Sequence, residues 1–296
     1  MDTKDTRQGV EEELRTLQEK MSSDTFWNDK ENAQSVIKRI KELQDIQEGT
    51  HALDKGGAII TILAGAGGDD SEDFAYMVYE MYSTYCATKG YSSIFLEESK
   101  NDKGGYRHCT IEITGKNVYG TLKNESGVHR LVRISPFNAQ AKRHTSFALV
   151  EVLPILPMHD QKVFSPDDIR IETSKSSGPG GQNVNKRETA IRVIHIPTNI
   201  SVSVSTERKQ DQNKQKALQI LQAKIFKIEE DARKKELEGS KISATVEIEW
   251  GSQIRSYVLH PYKMIKDHRT GYETSNVEAV LEKGDLEGFI EAEKNL

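Results

Sequence analysis

The chain has 296 residues, enough for two or three domains and a sizeable core, with a hydrophobic fraction of 35% and a formal net charge of -5. No apolar run approaches the roughly 18–20 residues that a membrane span needs, and residues 1–20 are polar and net acidic, unlike a signal or transit peptide. The only cysteines, Cys86 and Cys109, offer no metal-ligand spacing and read as buried thiols, so the composition points to a soluble cytoplasmic protein without metal or cofactor.

Residues 1–50 read as a helical hairpin. Val10, Leu14, Leu17 and Met21 make one apolar stripe; Val36, Ile40 and Leu43 make a second after a break at residues 22–25. Residues 58–63 read as a buried strand running into Gly65-Ala66-Gly67-Gly68-Asp69-Asp70. That turn lacks the Lys-Ser/Thr ending of a phosphate loop, and the acidic residues after it would repel phosphate. Asp70 and Asp73 suit a helix start, with Phe74, Val78, Met81 and Tyr85 on one face and Gly90 as the stop. Strands follow around Ile94 and Leu96 and over Cys109, Ile111 and Ile113, joined by an Asp102-Lys103-Gly104-Gly105 turn; residues 118–123 read as another strand. A basic segment with His129, Arg130 and Arg133 leads into a loop over residues 135–145, and residues 146–153 read as the strand leaving it.

Pro154, Pro157 and Pro166 mark a linker. Beyond it, residues 168–173 read as a strand with Ile169 and Ile171 inward, and residues 190–196 and 200–205 as a hairpin. Residues 211–237 read as a long helix with Leu218, Leu221, Ile225 and Ile228 on its inner stripe. A strand over 242–250 and a closing helix over 277–295 complete the chain. The expected fold class is α+β multidomain: an N-terminal hairpin (1–50), an α+β domain (51–160), a compact α/β sandwich (161–241) and a C-terminal segment packing on the second domain (242–296). Residues 161–241 carry a net +5 against -10 for the remainder, which suits a nucleic-acid contact there or, more plainly, a solvated helix face.

Ser177-Gly178-Pro179-Gly180-Gly181-Gln182-Asn183 stands out within the sandwich. Its glycines and proline exclude a helix or strand interior and specify an exposed loop of defined shape. Gln182 is neither acid nor base, and the sequence contains no His-x-x-x-His, Cys-x-x-Cys or Gly-x-Ser-x-Gly. The loop is then either a binding turn or an element that polarises a reaction within a site built mostly by a partner, through a backbone N–H aimed at developing negative charge. Lys175, Lys186 and Arg187 flank it, and Arg208, Gln210, Asn213 and Lys214 mark the start of the long helix; such side chains bind phosphate and sugar edges. The 135–145 loop offers hydroxyls, an aromatic ring, a histidine and cations suited to single-stranded RNA, although Ser135-Pro136-Phe137 alone is compatible with a simple turn over a buried ring.

From about residue 58 to the C-terminus the chain resembles a bacterial class I peptide chain release factor of type 2. Gly180-Gly181-Gln182 matches the family's universal tripeptide, and Ser135-Pro136-Phe137 follows Gly127-Val128-His129-Arg130 and looks like the type 2 codon-reading tripeptide. Arg143-His144-Thr145-Ser146, Trp250-Gly251-Ser252-Gln253-Ile254-Arg255-Ser256-Tyr257 and Lys266-Asp267-His268-Arg269-Thr270-Gly271 also fit. The resemblance implies binding to the ribosomal A site at UAA or UGA in mRNA, with Ser135, Pro136, Phe137, His144 and Thr145 reading the second and third bases and the helix tip at Asp70 reading the first. It implies that Gly180, Gly181 and Gln182 enter the peptidyl transferase centre and promote ribosome-dependent hydrolysis of peptidyl-tRNA, and that a glutamine methyltransferase modifies the Gln182 side-chain nitrogen. A type 3 release factor GTPase is a further implied partner. The chain departs from the family in a first domain reduced to one hairpin, in Asp70 where Glu is usual, and in Gln140-Ala141 where glycines are common. The alternatives are a factor of the same loop type that rescues stalled ribosomes, favoured by the short first domain but not by the intact reading loop, and an RNA-binding protein without catalysis.

Overall fold

The computed structural model describes residues 52–156, 164–174, 189–207, 209–237, 252–294 and 296, and before residue 50 only residues 15–17, 20, 21, 33, 36 and 40. Residues 1–55 form one compact unit and residues 56–296 another. In the first, every described residue before position 50 is helical, with Ala33 and Ile40 buried. The hairpin break expected at 22–25 and the strand expected over 242–250 lie outside the described residues.

The second unit is built on an eight-stranded sheet made from β1 (Ala58–Ala64), β2 (Ser92–Lys100), β3 (Tyr106–Thr114), β4 (Gly127–Ile134), β5 (Arg143–Pro154), β9 (Gln253–Val258), β10 (Met264–Asp267) and β11 (Glu273–Thr274). Its order is β11-β10-β9-β4-β5-β1-β3-β2. β1 is flanked on both edges, Ile60 standing opposite Ile111 of β3 and Val152 of β5. It is buried from Ala58 to Ile62, which explains its near-continuous apolar sequence. The C-terminal segment enters as β9, which pairs in parallel with β4.

Helix α1 (Asp69–Lys89) packs across β1, β3 and β5 through Phe74, Val78, Met81 and Tyr85, with Gly90 in the left-handed C-cap conformation. Residues 118–122 form a short helix, α2 (Val118–Leu122), where a strand was expected; Val118, Tyr119 and Leu122 face the core together, a one-turn spacing that alternation would have split. The single closing helix expected over 277–295 is divided into α4 (Val277–Lys283) and α5 (Glu287–Glu293). Gly284 sits between them at φ 64°, so close to α1 that a Cβ there would lie 2.5 Å from the Tyr85 nitrogen. Cys86 and Cys109 are free, buried thiols, each pushed up to about 12 by burial.

A second, three-stranded sheet is formed by β6 (Ile169–Ser174), β7 (Ala190–His195) and β8 (Ile200–Val204), with α3 (Gln210–Leu237) lying along β7 and β8. The inner face of α3 is Ala217, Ile220, Leu221 and Ile225; Leu218 is half-buried and Ile228 is exposed, contrary to the stripe expected from spacing alone. Ile171, expected inward, is exposed as well. This smaller layer rests on the large sheet. Lys216 and Lys224 of α3 donate to Glu112 of β3 at 2.5 Å and Glu151 of β5 at 2.7 Å, and Ser205 N and Thr206 Oγ1 both donate to the Leu96 carbonyl. Between the layers lies a cleft of about 310 Å3 of mixed lining, with Thr61, Glu97, His108, Ser201, Ser203 and Lys224 beside the apolar Leu63, Val202 and Ile220.

Candidate nucleic-acid interface

The glycine loop, with Lys175, Gly180, Gly181, Gln182, Lys186 and Arg187, lies outside the described residues, as does Arg208. Its two ends are fixed: β6 stops at Ser174, and the chain returns at Thr189 into β7. Asn213 holds the returning end. Its Nδ2 donates to the Thr189 carbonyl at 2.7 Å and the Glu207 carbonyl at 2.9 Å, and its Oδ1 accepts from Glu207 N at 2.9 Å. Asn213 is fully buried, which corrects its assignment as an RNA contact: an amide with its donors and acceptor occupied inside the protein presents nothing to a phosphate. Gln210 and Lys214 are exposed on the first turns of α3.

The other expected contact surface is well defined. The β1–α1 turn brings the start of α1 against the ends of β4 and β5. Gly67, at φ 139°, lies so close to β5 that a Cβ would stand 3.2 Å from Ser146 Oγ. Ser71 Oγ donates to the Gly68 carbonyl at 2.7 Å and closes the first helical turn. Asp70 is thereby set under the loop between β4 and β5, only 4% exposed. Its Oδ2 accepts from Ser135 Oγ at 2.7 Å and His144 Nδ1 at 2.8 Å, and its Oδ1 accepts from Arg133 at 3.3 Å. Arg133 also donates to Asp73 at 2.5 Å. Burial raises the Asp70 pKa, but the bonds from Ser135, His144 and Arg133 outweigh it and hold the carboxyl below its ordinary value.

This arrangement corrects the expectation for Asp70. Its carboxylate is buried and engaged by three side chains rather than displayed at the helix tip for a base. Ser135 is likewise buried: its hydroxyl donates to Asp70 and accepts from Phe137 N at 3.1 Å, while Ser135 N donates to the Lys142 carbonyl at 3.0 Å. Of the residues expected to read bases, Pro136, Phe137, Thr145 and the part-exposed His144 ring face outward, alongside the exposed 139–143 stretch of the same loop. Lys103, from the β2–β3 turn, joins it by donating to Asp69 at 2.5 Å with its ammonium 5.2 Å from the Phe137 ring centre. Lys103, Arg133 and Asp73 were not among the residues expected to build the site. Arg133 and Lys103 carry the signal of a cation beside the loop or in a turn, but their convergence depends on strand register.

A second ionic cluster lies further along α1. Arg255 of β9 is fully buried and donates twice to Glu125, at 2.8 and 2.7 Å, and to Glu293 of α5 at 2.7 Å. Arg269 joins Glu293 at 2.6 Å and Asp267 at 2.8 Å. Tyr82 of α1 donates to Glu125 at 2.6 Å, and the Arg255 guanidinium stacks 4.2 Å from the Phe289 ring centre. His129, beside them, donates from Nε2 to the Glu125 carbonyl at 3.2 Å and meets the Tyr257 hydroxyl through Nδ1 at 3.1 Å. Burial, with the nearby Arg255 charge, pushes His129 down to about 4, so this histidine of the basic segment is neutral and internal. Among the described residues no group of three or more His, Cys, Asp or Glu is arranged to hold a metal ion, and no helix is long and apolar enough to cross a membrane.

Two family models match the chain, the PCRF domain over residues 49–150 and the RF-1 domain over residues 160–269. A peptide chain release factor 2 of Thermotoga petrophila is 46% identical over 260 residues, covering 88% of this chain and 70% of that protein. This chain belongs to the peptide chain release factor 2 family. A second relative, peptide chain release factor 2 of Petrotoga mobilis, is 39% identical over 333 residues, covering 96% of this chain and 90% of its own. Among solved structures, RF2 of Thermus thermophilus is similar with a TM-score of 0.73 and 39% identity, over 95% of this chain and 79% of that one. Within this release factor, the Ser135-Pro136-Phe137 loop anchored on Asp70 joins β4 and β5 of the large sheet, whereas the described residues on either side of 175–188 lead out of β6 and into β7 of the three-stranded sheet.

Proposed function

We propose that this release factor terminates translation by reading UAA and UGA in the ribosomal A site and promoting hydrolysis of the peptidyl-tRNA ester. The observation that carries the reading is the loop over residues 135–145: bonds from Ser135 and His144 to the buried Asp70 carboxylate fix its frame while Pro136, Phe137, His144 and Thr145 are left outward for bases. An exposed ring and a hydroxyl on a rigid loop suit unstacked bases. Asp70 acts through Ser135 and His144 rather than on a base.

At the other end, Gly180-Gly181-Gln182 supplies no acid or base, so the chemistry is polarisation. Water attacks the ester carbonyl, the Gln182 backbone N–H stabilises the oxyanion, and the ester bond to the tRNA 3′ oxygen breaks. The peptide leaves with a free carboxyl group and the tRNA regains its hydroxyl. Ribosomal RNA forms the rest of the site, so the reaction depends on the ribosome. Lys175, Lys186, Arg187, Arg208, Gln210 and Lys214 contact that RNA. A glutamine methyltransferase modifies Gln182, and the protein acts in the cytoplasm.

The two layers separate when the factor binds, across the 154–166 linker and the segment after Leu237. The polar bonds across the contact support this: two part-exposed lysine–carboxylate bonds and two bonds to the Leu96 carbonyl join the layers. Gln182→Pro tests the catalytic assignment. The expected variant binds programmed ribosomes as the parent does and releases no peptide; undiminished release would remove Gln182 from the catalytic assignment.

A further inference from the structure

Asn138 lies in the reading loop, and codon reading as set out above makes no use of its side chain. Its Oδ1 accepts from Gln140 N at 2.8 Å, and its main-chain carbonyl accepts from Ala141 N at 2.9 Å. The amide oxygen is therefore turned toward the backbone, which leaves Nδ2 facing His144 Nε2 at 3.1 Å. An amide nitrogen donates and does not accept, so Nε2 must be the acceptor. In a neutral imidazole the proton then sits on Nδ1, where it donates to Asp70 Oδ2 at 2.8 Å. The opposite tautomer would set N–H against N–H at Asn138 and a lone pair against a carboxylate at Asp70.

We propose that Asn138 is a positioning residue for codon reading, locking His144 as the Nδ1–H tautomer and fixing the plane of its ring. Asp70 from α1 and Asn138 from the loop grip the imidazole at opposite nitrogens. Both ring nitrogens are thus occupied inside the protein, and the exposed remainder of the ring is its face and carbon edge, 38% of the side chain being accessible. Discrimination by hydrogen bonding at this position then falls to neighbours such as Thr145, while His144 contributes a surface of fixed orientation. The inference rests on the 135–145 loop being the codon-facing one.

Two variants separate this role from simple turn closure. Asn138→Asp keeps the acceptor for Gln140 N–H and removes the donor to His144; Asn138→Ala removes both. The first readout is the 15N spectrum of the His144 ring in the free protein, identified by its loss in His144→Gln. The parent is expected to show the neutral Nδ1–H form, and Asn138→Asp to place a proton on Nε2. The second readout is peptide release. Asn138→Asp and Asn138→Ala are both expected to raise the factor concentration for half-maximal release about fivefold on UAA and UGA, as one lost hydrogen bond of about 1 kcal/mol would, with the maximal rate unchanged. A parent ring protonated on Nε2 overturns the proposal. So does an Asn138→Asp variant that matches the parent in half-saturation while Asn138→Ala does not, since Asn138 would then only close the turn. Parental half-saturation in His144→Gln would instead sink the codon-facing reading, leaving the ring spectrum to judge the lock itself.

Discussion

Helix α1 carries two ionic clusters built from the same chemistry, and they differ in what is left open. At its start, Asp70 gathers Ser135, His144 and Arg133 from below, and the far side of those groups is an exposed loop. Further along, Tyr82 meets Glu125 within a cluster where Arg255, Glu125 and Asp267 have no exposed side-chain surface. The second cluster joins β9, β10 and α5 to the 123–125 turn and α1, so it fixes the C-terminal segment onto the sheet. The first fixes a loop that leaves Pro136, Phe137 and Thr145 exposed. A buried charge network stabilises the fold when sealed and orients a recognition loop when one face is left to solvent.

The sharpest contrast comes from cutting each network. Arg255→Ala leaves Glu125 and Glu293 buried without their main cation, so a loss of about 3–5 kcal/mol in unfolding free energy is expected by chemical denaturation. Release should then fail through loss of folded protein. Asp70→Ala removes the shared acceptor but leaves Arg133 paired to Asp73, so about 1–3 kcal/mol of stability should go. Here the folded variant should still be impaired, requiring roughly tenfold more factor for half-maximal release, the equivalent of about 1.4 kcal/mol. If Asp70→Ala released peptide like the parent at equal folded concentration, the distinction between the clusters would collapse.

The sealed cluster also has a pH signature. Three carboxylates, Glu125, Asp267 and Glu293, meet two guanidiniums, Arg255 and Arg269. Glu293 is pushed up to about 8, first by burial and then by Glu125, whereas Glu125 and Asp267 are held low because their bonds to the arginines outweigh burial. A carboxyl raised in the folded state holds a proton that the unfolded chain has released. Its stabilising contribution is complete below the unfolded pKa and lost as pH rises through about 8. Stability from this group is therefore expected to decline as pH rises from about 4.5 to about 8 and to level off above that, and Glu293→Gln to flatten that decline in thermal unfolding. The smallest effect concerns the contact between the layers. Lys216→Ala with Lys224→Ala removes two part-exposed pairs worth roughly 0.2–1 kcal/mol each. Small-angle scattering of the double variant should show a modestly larger radius of gyration, and added salt should shift the parent the same way.

Much of the reading surface was legible in the sequence because its signals are local. The glycine turn, the acidic helix start and Ser135-Pro136-Phe137 each stand within a few residues, and β1 and α1 follow from apolar runs and spacing. What the sequence hid depends on pairing at long separation. Asp70 looks like a helix cap until β4 and β5 bring Arg133 and His144 beside it, their positions directly opposite in the register. β9 and β10 went unmarked in the sequence, because Arg255 and Asp267 interrupt their apolar positions and a charged residue reads as exposed unless its buried partners are known. Asn213 misled in the same way: in a basic, amide-rich stretch its amide looked like a phosphate contact, while its actual partners are the main-chain carbonyls of Thr189 and Glu207.

Peptide release from ribosomes displaying UAA, UGA, UAG or a sense codon tests the central claim most directly. Efficient release on UAA and UGA, with little on UAG or the sense codon, is the expected result. Equal release on all of them, or release only where no codon fills the A site, would contradict codon reading by the 135–145 loop and favour a factor that rescues stalled ribosomes.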